Sequence, residues 1–360
     1  MKMKTSVLAL LAAMALAGCS THNTTQAQPV AQAQKPAAQL PANVVKRELA
    51  SGLYEMSLSP QGDALYVASA EGFKDVQGGV VYKLDPTTLK TLGATHTDLK
   101  NFGMTISPDG KTVYVTNSLD GGVSAIDTST GKVLARALFP ERNEKDKPFG
   151  AREILLHNGN LYIGAVADPA LVWVVNAKTM KVKARIKNAG KWVTGLHFSE
   201  QTQRLYVANG AGEILVVNPR NNRIEQRWKP LGDKPALLLN IAEDADTGRL
   251  LVTDNSKAKT TLVLDIHSGK VVKEIAGDAL AVKFNAKRHE IYITQRDSGK
   301  VLSLDATSYA VKQSWDLPPH PNSLLLSADG QTLFVTVKQG FNKDHSTTGP
   351  DSVVRIDLNK

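Results

Sequence analysis

Cysteine is nearly missing from this chain: of 360 residues, only Cys19 is one. No intramolecular disulfide can form, and a cysteine-based zinc site is excluded. The eight histidines do not replace it, because His96, His157, His197 and His320 lie far apart without paired-ligand spacing. Aromatic residues are sparse at 6%, and the four Trp recur with no period. The Asp127-Thr128-Ser129-Thr130-Gly131-Lys132 turn looks like part of a quinoprotein repeat, but that repeat needs a docking Trp in most units, so no quinone is expected. There is no phosphate-binding glycine loop; Gly78-Gly79 reads as a turn entering a strand. No spacing identifies a Ser-His-Asp arrangement. No cofactor is expected. Past the N-terminus no apolar run approaches the roughly 18 residues that a membrane-spanning helix needs.

What the chain does have begins at its start. Lys2 and Lys4 precede an apolar stretch, Val7 to Ala17, followed by Leu16-Ala17-Gly18-Cys19. Short apolar runs ending in small residues are signal-peptide chemistry. A cysteine directly after Leu-Ala-Gly resembles the bacterial lipobox, which implies cleavage before Cys19 and a lipid on its sulfur. Ser20 in the next position favours the outer membrane. Residues 20 to 42 are rich in Gln, Ala, Thr and Pro and read as a flexible tether. The expected organisation is a signal peptide over 1–18, a tether over 19–42 carrying the lipidated Cys19, and a single domain over 43–360. The domain would lie in the periplasm, attached to a membrane by lipid alone.

That domain is repetitive. Seven strands end in Asp or Asn before a turn, at Asp85, Asp127, Asn176, Asn218, Asp265, Asp305 and Asp357. Each is preceded by a second strand, such as Leu65-Tyr66-Val67-Ala68-Ser69 or Val113-Tyr114-Val115-Thr116-Asn117. Before those come shorter strands and turns of the Ser107-Pro108-Asp109-Gly110 kind. Four short β-rich strands per unit, repeated around a centre, make a β-propeller. The seventh unit ends three residues after Asp357, short of its fourth strand, while Val44 to Leu49 is a strand-like run without a unit. The expected fold is therefore all-β: a seven-bladed propeller of four-stranded blades, closed when the N-terminal strand completes the last blade.

The repeat containing Tyr114-Val115-Thr116-Asn117 resembles the YVTN class of bacterial propeller repeats. Longer runs narrow the likeness: Tyr54-Glu55-Met56, Gly78 to Pro86, Arg152-Glu153, Thr194-Gly195-Leu196 and His320-Pro321-Asn322-Ser323-Leu324. In combination they resemble the YncE-like periplasmic propellers over about residues 43–360. The resemblance implies single-stranded DNA binding without established catalysis.

Ligands of propellers gather at loops around the central channel. Here basic residues interleave with aromatics in those loops: Phe73 by Lys74, Lys100 by Phe102, Lys147 by Phe149, Lys191 by Trp192, and Phe341 by Lys343. Cations can follow phosphates while aromatic faces stack bases, at about 1–3 kcal/mol per base. The formal net charge of +9 points the same way. The candidate contacts are Lys74, Phe102, Arg152, Lys191, Trp192, Lys257, Arg296 and Asn322, with Trp192 and Arg152 foremost. For Arg152 the competing role is an ion pair with Glu153 or Glu55. Single-stranded DNA or another polyanion is the expected partner of a monomer. An envelope protein partner is the second expectation. A metal-dependent, lactonase-like hydrolase is the third, its cation held by Glu55, Glu153 and Asn240, with Asn101 and Asn322 nearby.

Overall fold

A computed structural model describes residues 40–72, 77–344 and 346–360. Residues 40–360 form one compact unit in which every regular element is a strand. The strands make seven separate antiparallel sheets of four. This is the expected seven-bladed propeller.

The innermost strands are Leu53–Leu58, Met104–Ile106, Gly150–His157, Val193–Ser199, Leu238–Asp244, Val282–Asn285 and His320–Leu326, for blades 1 to 7. Each packs on the next, and the seventh packs on the first, so the ring is closed around a channel. Closure occurs as the sequence implied: Val44–Ala50 pairs antiparallel with Asp351–Asp357 and supplies the outer strand of blade 7. Pairing within the blade satisfies backbone groups that an incomplete sheet would expose.

The repeated motif is explained residue by residue. The Tyr reaches the next blade: the Tyr114 hydroxyl donates to Ala177 O (3.1 Å) and the Tyr206 hydroxyl to Ile266 O (3.2 Å). The following Val is core; Val115, Val207, Val252 and Val335 are all fully buried. The Thr joins blades at the channel. Thr116 Oγ1 accepts from Gly103 N and donates to Arg152 O in the next blade. Thr253, Thr294 and Thr336 repeat this, the last bridging blade 7 to Tyr54 of blade 1. Finally the Asn anchors the incoming linking loop: Asn117 Nδ2 donates to Lys100 O and Asn209 Nδ2 to Ala189 O.

The apolar cores lie between blades. One joins Tyr114 and Val123 of blade 2 to Leu161, Ile163 and Trp173 of blade 3, where Trp173 stacks on Phe139 at 4.1 Å. Near the channel mouth the inner strands approach so closely that a Cβ on Gly103 would sit 2.0 Å from Arg152 O, and one on Gly195 2.0 Å from Leu239 O. Glycine is required at both positions.

Candidate functional site

The inner strands are interrupted at the same level in five blades. Register shifts occur between Leu53 and Met56, Ala151 and Ile154, Val193 and Gly195, Leu238 and Ile241, and Pro321 and Leu324. A bulge re-aims side chains that a regular ladder would direct into the sheet. Here the bulged residues include Tyr54-Glu55, Arg152-Glu153, Asn240 and Asn322-Ser323, and they ring the channel mouth.

At the centre of the mouth is Tyr54, buried and packed on Phe102 with ring centroids 4.7 Å apart. Two cations lie over its ring: the Arg152 guanidinium at 4.3 Å and Lys338 Nζ at 4.0 Å. Lys338 is committed to the fold, since it donates to Leu53 O (2.7 Å) and pairs with buried Asp351 (3.2 Å). Arg152 is not so committed. Among the described residues it makes no ion pair, and its Nη1 is buried without a hydrogen-bond partner. The pairing with Glu153 or Glu55 weighed from the sequence is not formed. Cation–π contact with Tyr54 and Phe102, the latter at 5.2 Å, holds the guanidinium in place and leaves its donors unused.

A second guanidinium faces the same space. Arg296 Nη1 donates to Asn322 Oδ1 (2.6 Å). Asn322 Nδ2 in turn donates to Ser323 Oγ (3.0 Å), which donates to Glu55 Oε1 (2.6 Å). Burial pushes the Arg296 guanidinium below its ordinary pKa, and the neighbouring positive charge of Arg152 pushes in the same direction. An anion at the mouth would relieve both effects. Below lies Glu153, whose carboxyl is pushed up to about 8 by desolvation and by the negative charge of Glu55, with Lys283 and Arg152 acting in opposition. The upward push favours the protonated carboxyl, which makes the mouth less negative beneath Arg152 than its formal charges suggest.

The structure separates the sequence candidates. Arg152, Arg296 and Asn322 come together at the mouth from blades 3, 6 and 7. Phe102 is only 2% exposed and forms the wall behind Tyr54; it is not a free stacking surface, because the linking loop tucks it under the bulge of blade 1. Its neighbour Lys100 is likewise buried, donating to the carbonyls of Ala70 and Gly78, so it is a loop clasp and not a phosphate contact. Lys191 and Trp192 form a half-buried pair on the loop between blades 3 and 4, Nζ 4.2 Å from the ring centroid. Trp192 is held at φ 51°, a region bulky residues avoid, by Trp192 N donating to Ala167 O and Gly210 N to Trp192 O. Lys257 is exposed in a blade 5 loop. Lys74 and Cys19 lie outside the described residues. Sequence reasoning missed Tyr54 and Lys338 as parts of the site; only the quoted Tyr54-Glu55-Met56 run hinted at the first.

The lactonase-like alternative requires oxygen donors free to hold a cation. Asn240 Nδ2 donates to Leu280 O, which orients its side chain and leaves its oxygen open, whereas Asn322 presents its oxygen to Arg296. Asn101 is fully buried, with Nδ2 donating to Thr97 Oγ1 and its oxygen accepting from Asn117 Nδ2. Among the described residues no three His, Cys, Asp or Glu side chains group as metal ligands. The Arg152 and Arg296 guanidiniums lie at the same mouth as Glu55, Glu153 and Asn240, and their positive charge works against a cation held there.

Closed ring, bulged inner strands and polar mouth define a seven-bladed β-propeller of the SMP-30/gluconolactonase/LRE-like class: the family model matches residues 6–211, more than half of the chain, and the chain belongs to that family. Its relatives include the YncE proteins. It is 40% identical to that of Salmonella typhimurium over 322 residues, covering 88% of this chain and 91% of the relative, and 40% identical to that of Escherichia coli over 321 residues with the same coverage. Two solved structures share the fold alone. They are the β-propeller domain of Myceliophthora thermophila Cps50 (Swd1) (TM-score 0.66, 12% identity, covering 88% of this chain and 99% of that one) and Kuenenia stuttgartiensis hydrazine synthase (TM-score 0.67, 14%, 92% and 99%).

Proposed function

We propose that this protein is a non-catalytic, envelope-located module that binds single-stranded nucleic acid, seating a phosphate between Arg152 and Arg296 over Tyr54. The observation that carries this is the Arg152 guanidinium, held by aromatic faces with no carboxylate paired to it. Arginine offers planar, bidentate donors that match a phosphate. A bulged mouth between blades admits one flexible strand more readily than a stiff duplex. The lipobox-like run ending at Cys19 supports placement at the periplasmic face of the outer membrane, where the propeller would meet strands arriving from outside.

Fluorescence anisotropy with single- and double-stranded oligonucleotides across a salt series tests the reading. Wild-type protein is expected to prefer the single strand, with a log K against log salt slope of about −0.7 per phosphate engaged. The paired change R152Q/R296Q is expected to weaken binding at least about tenfold, the loss of two charge-assisted contacts. Equal binding of both strand forms without a salt slope would overturn the proposal. Loss of hydrophobic partitioning in C19A tests the lipid anchor.

A further inference from the structure

The positive charge of the propeller is not spread evenly. Lys2, Lys4 and Lys35 precede residue 40 and no acid does, so residues 40–360 carry +6 of the chain's +9. Residues 150–191 hold seven Lys and Arg against two Asp and Glu, and residues 192–237 hold six against four. Blades 3 and 4 therefore carry +7, and everything else in the propeller sums to −1.

Between the outer strands of these two blades, Val182–Ile186 and Arg223–Trp228, runs an open cleft of about 600 Å³. Its cations are Arg185, Lys187, Arg223 and Arg227, all exposed. Two of them are held in position. Arg185 pairs with Glu141, while Arg227 pairs with Glu213 (3.2 Å) and donates across the cleft to Asn188 O. The other two, Lys187 and Arg223, make no side-chain hydrogen bond or ion pair among the described residues. The one carboxylate lining the cleft, Glu225, is occupied by Arg204 (2.6 Å) and Asn218 (2.8 Å). The cleft thus presents two free cations beside two fixed ones.

Its position adds meaning. The loop over residues 187–192 runs from the cleft at the rim to the inner strand of blade 4, and carries the Lys191–Trp192 pair. Arg152 lies on the adjacent inner strand of blade 3. Arg152, Trp192, Lys191 and Lys187 therefore follow one another from the channel mouth to the rim on the linking-loop face, and from there the cleft runs down the outer strand of blade 4, past Arg227 to Arg223 at its far end.

We propose that the cleft between blades 3 and 4 is a second anion site, which takes the phosphodiester backbone of a single strand leaving the channel mouth across Lys191 and Trp192. The inference rests on the reading of the mouth as a nucleic-acid site and extends it. An open cleft lined by four cations along an outer strand suits a linear polyanion better than a flat surface does.

Binding of oligothymidylates of about 20 and about 4 nucleotides separates the two sites. K187Q/R223Q changes two exposed, unpartnered side chains, so its melting temperature should match wild type. For the long oligomer it is expected to lower the magnitude of the salt slope by about 1.4, with several-fold weaker binding. For the short oligomer it is expected to change nothing, while R152Q/R296Q weakens both. If the long oligomer binds K187Q/R223Q with unchanged slope and affinity while R152Q/R296Q remains impaired, the cleft is refuted and the mouth stands. If R152Q/R296Q binds both lengths normally while K187Q/R223Q loses the long one, the mouth fails and the cleft is the anion site. Absence of binding to wild type at either length overturns both.

Discussion

The residue with the clearest chemical signature is Glu153. Its carboxyl is raised to about 8 while an unfolded chain would return it to the ordinary glutamate range. Between those values the folded state holds a proton that the unfolded state releases, so stability falls as pH rises toward and through about 8. E153Q is expected to melt higher than wild type at pH 9, with the difference vanishing near pH 4, as scanning calorimetry would show. Groups facing this carboxyl are Glu55, Lys283 and Arg152. Ionisation adds negative charge beneath the Arg152–Arg296 mouth, so in wild type anion affinity should decline only as pH rises through about 8, where the folded carboxyl ionises, and stay flatter in E153Q. A second single-residue test concerns the clasp between last and first blades. Asp351 accepts from Leu53 N (2.9 Å) and Gln339 N (2.7 Å) and pairs with buried Lys338. D351N leaves that lysine buried and uncompensated, and should cost about 3–5 kcal/mol in denaturant unfolding.

Among elements, the N-terminal strand Val44–Ala50 has the largest consequence per residue. It completes blade 7, and Arg47 reaches out of it to Leu89 O and Thr91 in blade 1. Deleting residues 40–50 exposes the edge of Asp351–Asp357 and is expected to yield early proteolysis within blade 7 and a broadened thermal transition. The threonine relay is the element-level counterpart at the channel. T294V leaves Ala281 N without its acceptor and Asn322 O without its donor, for an expected loss of about 1–3 kcal/mol. The strands themselves were legible from sequence because alternation and turn residues are local signals, and the closure because a missing strand and a spare one matched. The relay was not legible. Thr294 and Asn322 are 28 residues apart, and nothing local to either marks the partner.

At the scale of the molecule, charge asymmetry governs approach. With +7 on two of seven blades, a polyanion is steered to one side of the ring, and association should slow steeply with ionic strength. K178Q/K181Q, both exposed on blade 3, should lower the association rate several-fold while leaving dissociation nearly unchanged in stopped-flow measurements. The site at the mouth is likewise a property of the whole ring: Tyr54, Arg152, Arg296 and Lys338 come from blades 1, 3, 6 and 7. Repeat spacing placed Arg152, Arg296 and Asn322 among loop-end candidates. It misjudged Lys100 and Phe102, because a lysine beside an aromatic looks alike whether its amine meets water or converging carbonyls. By itself the sequence determined the strand repeat, the blade count and the closing strand, since these depend on short-range patterning and on satisfying a sheet edge. Only the tertiary structure decided which polar groups are spent within the fold and which remain free, because blades distant in sequence meet at one channel and compete there for the same hydrogen bonds.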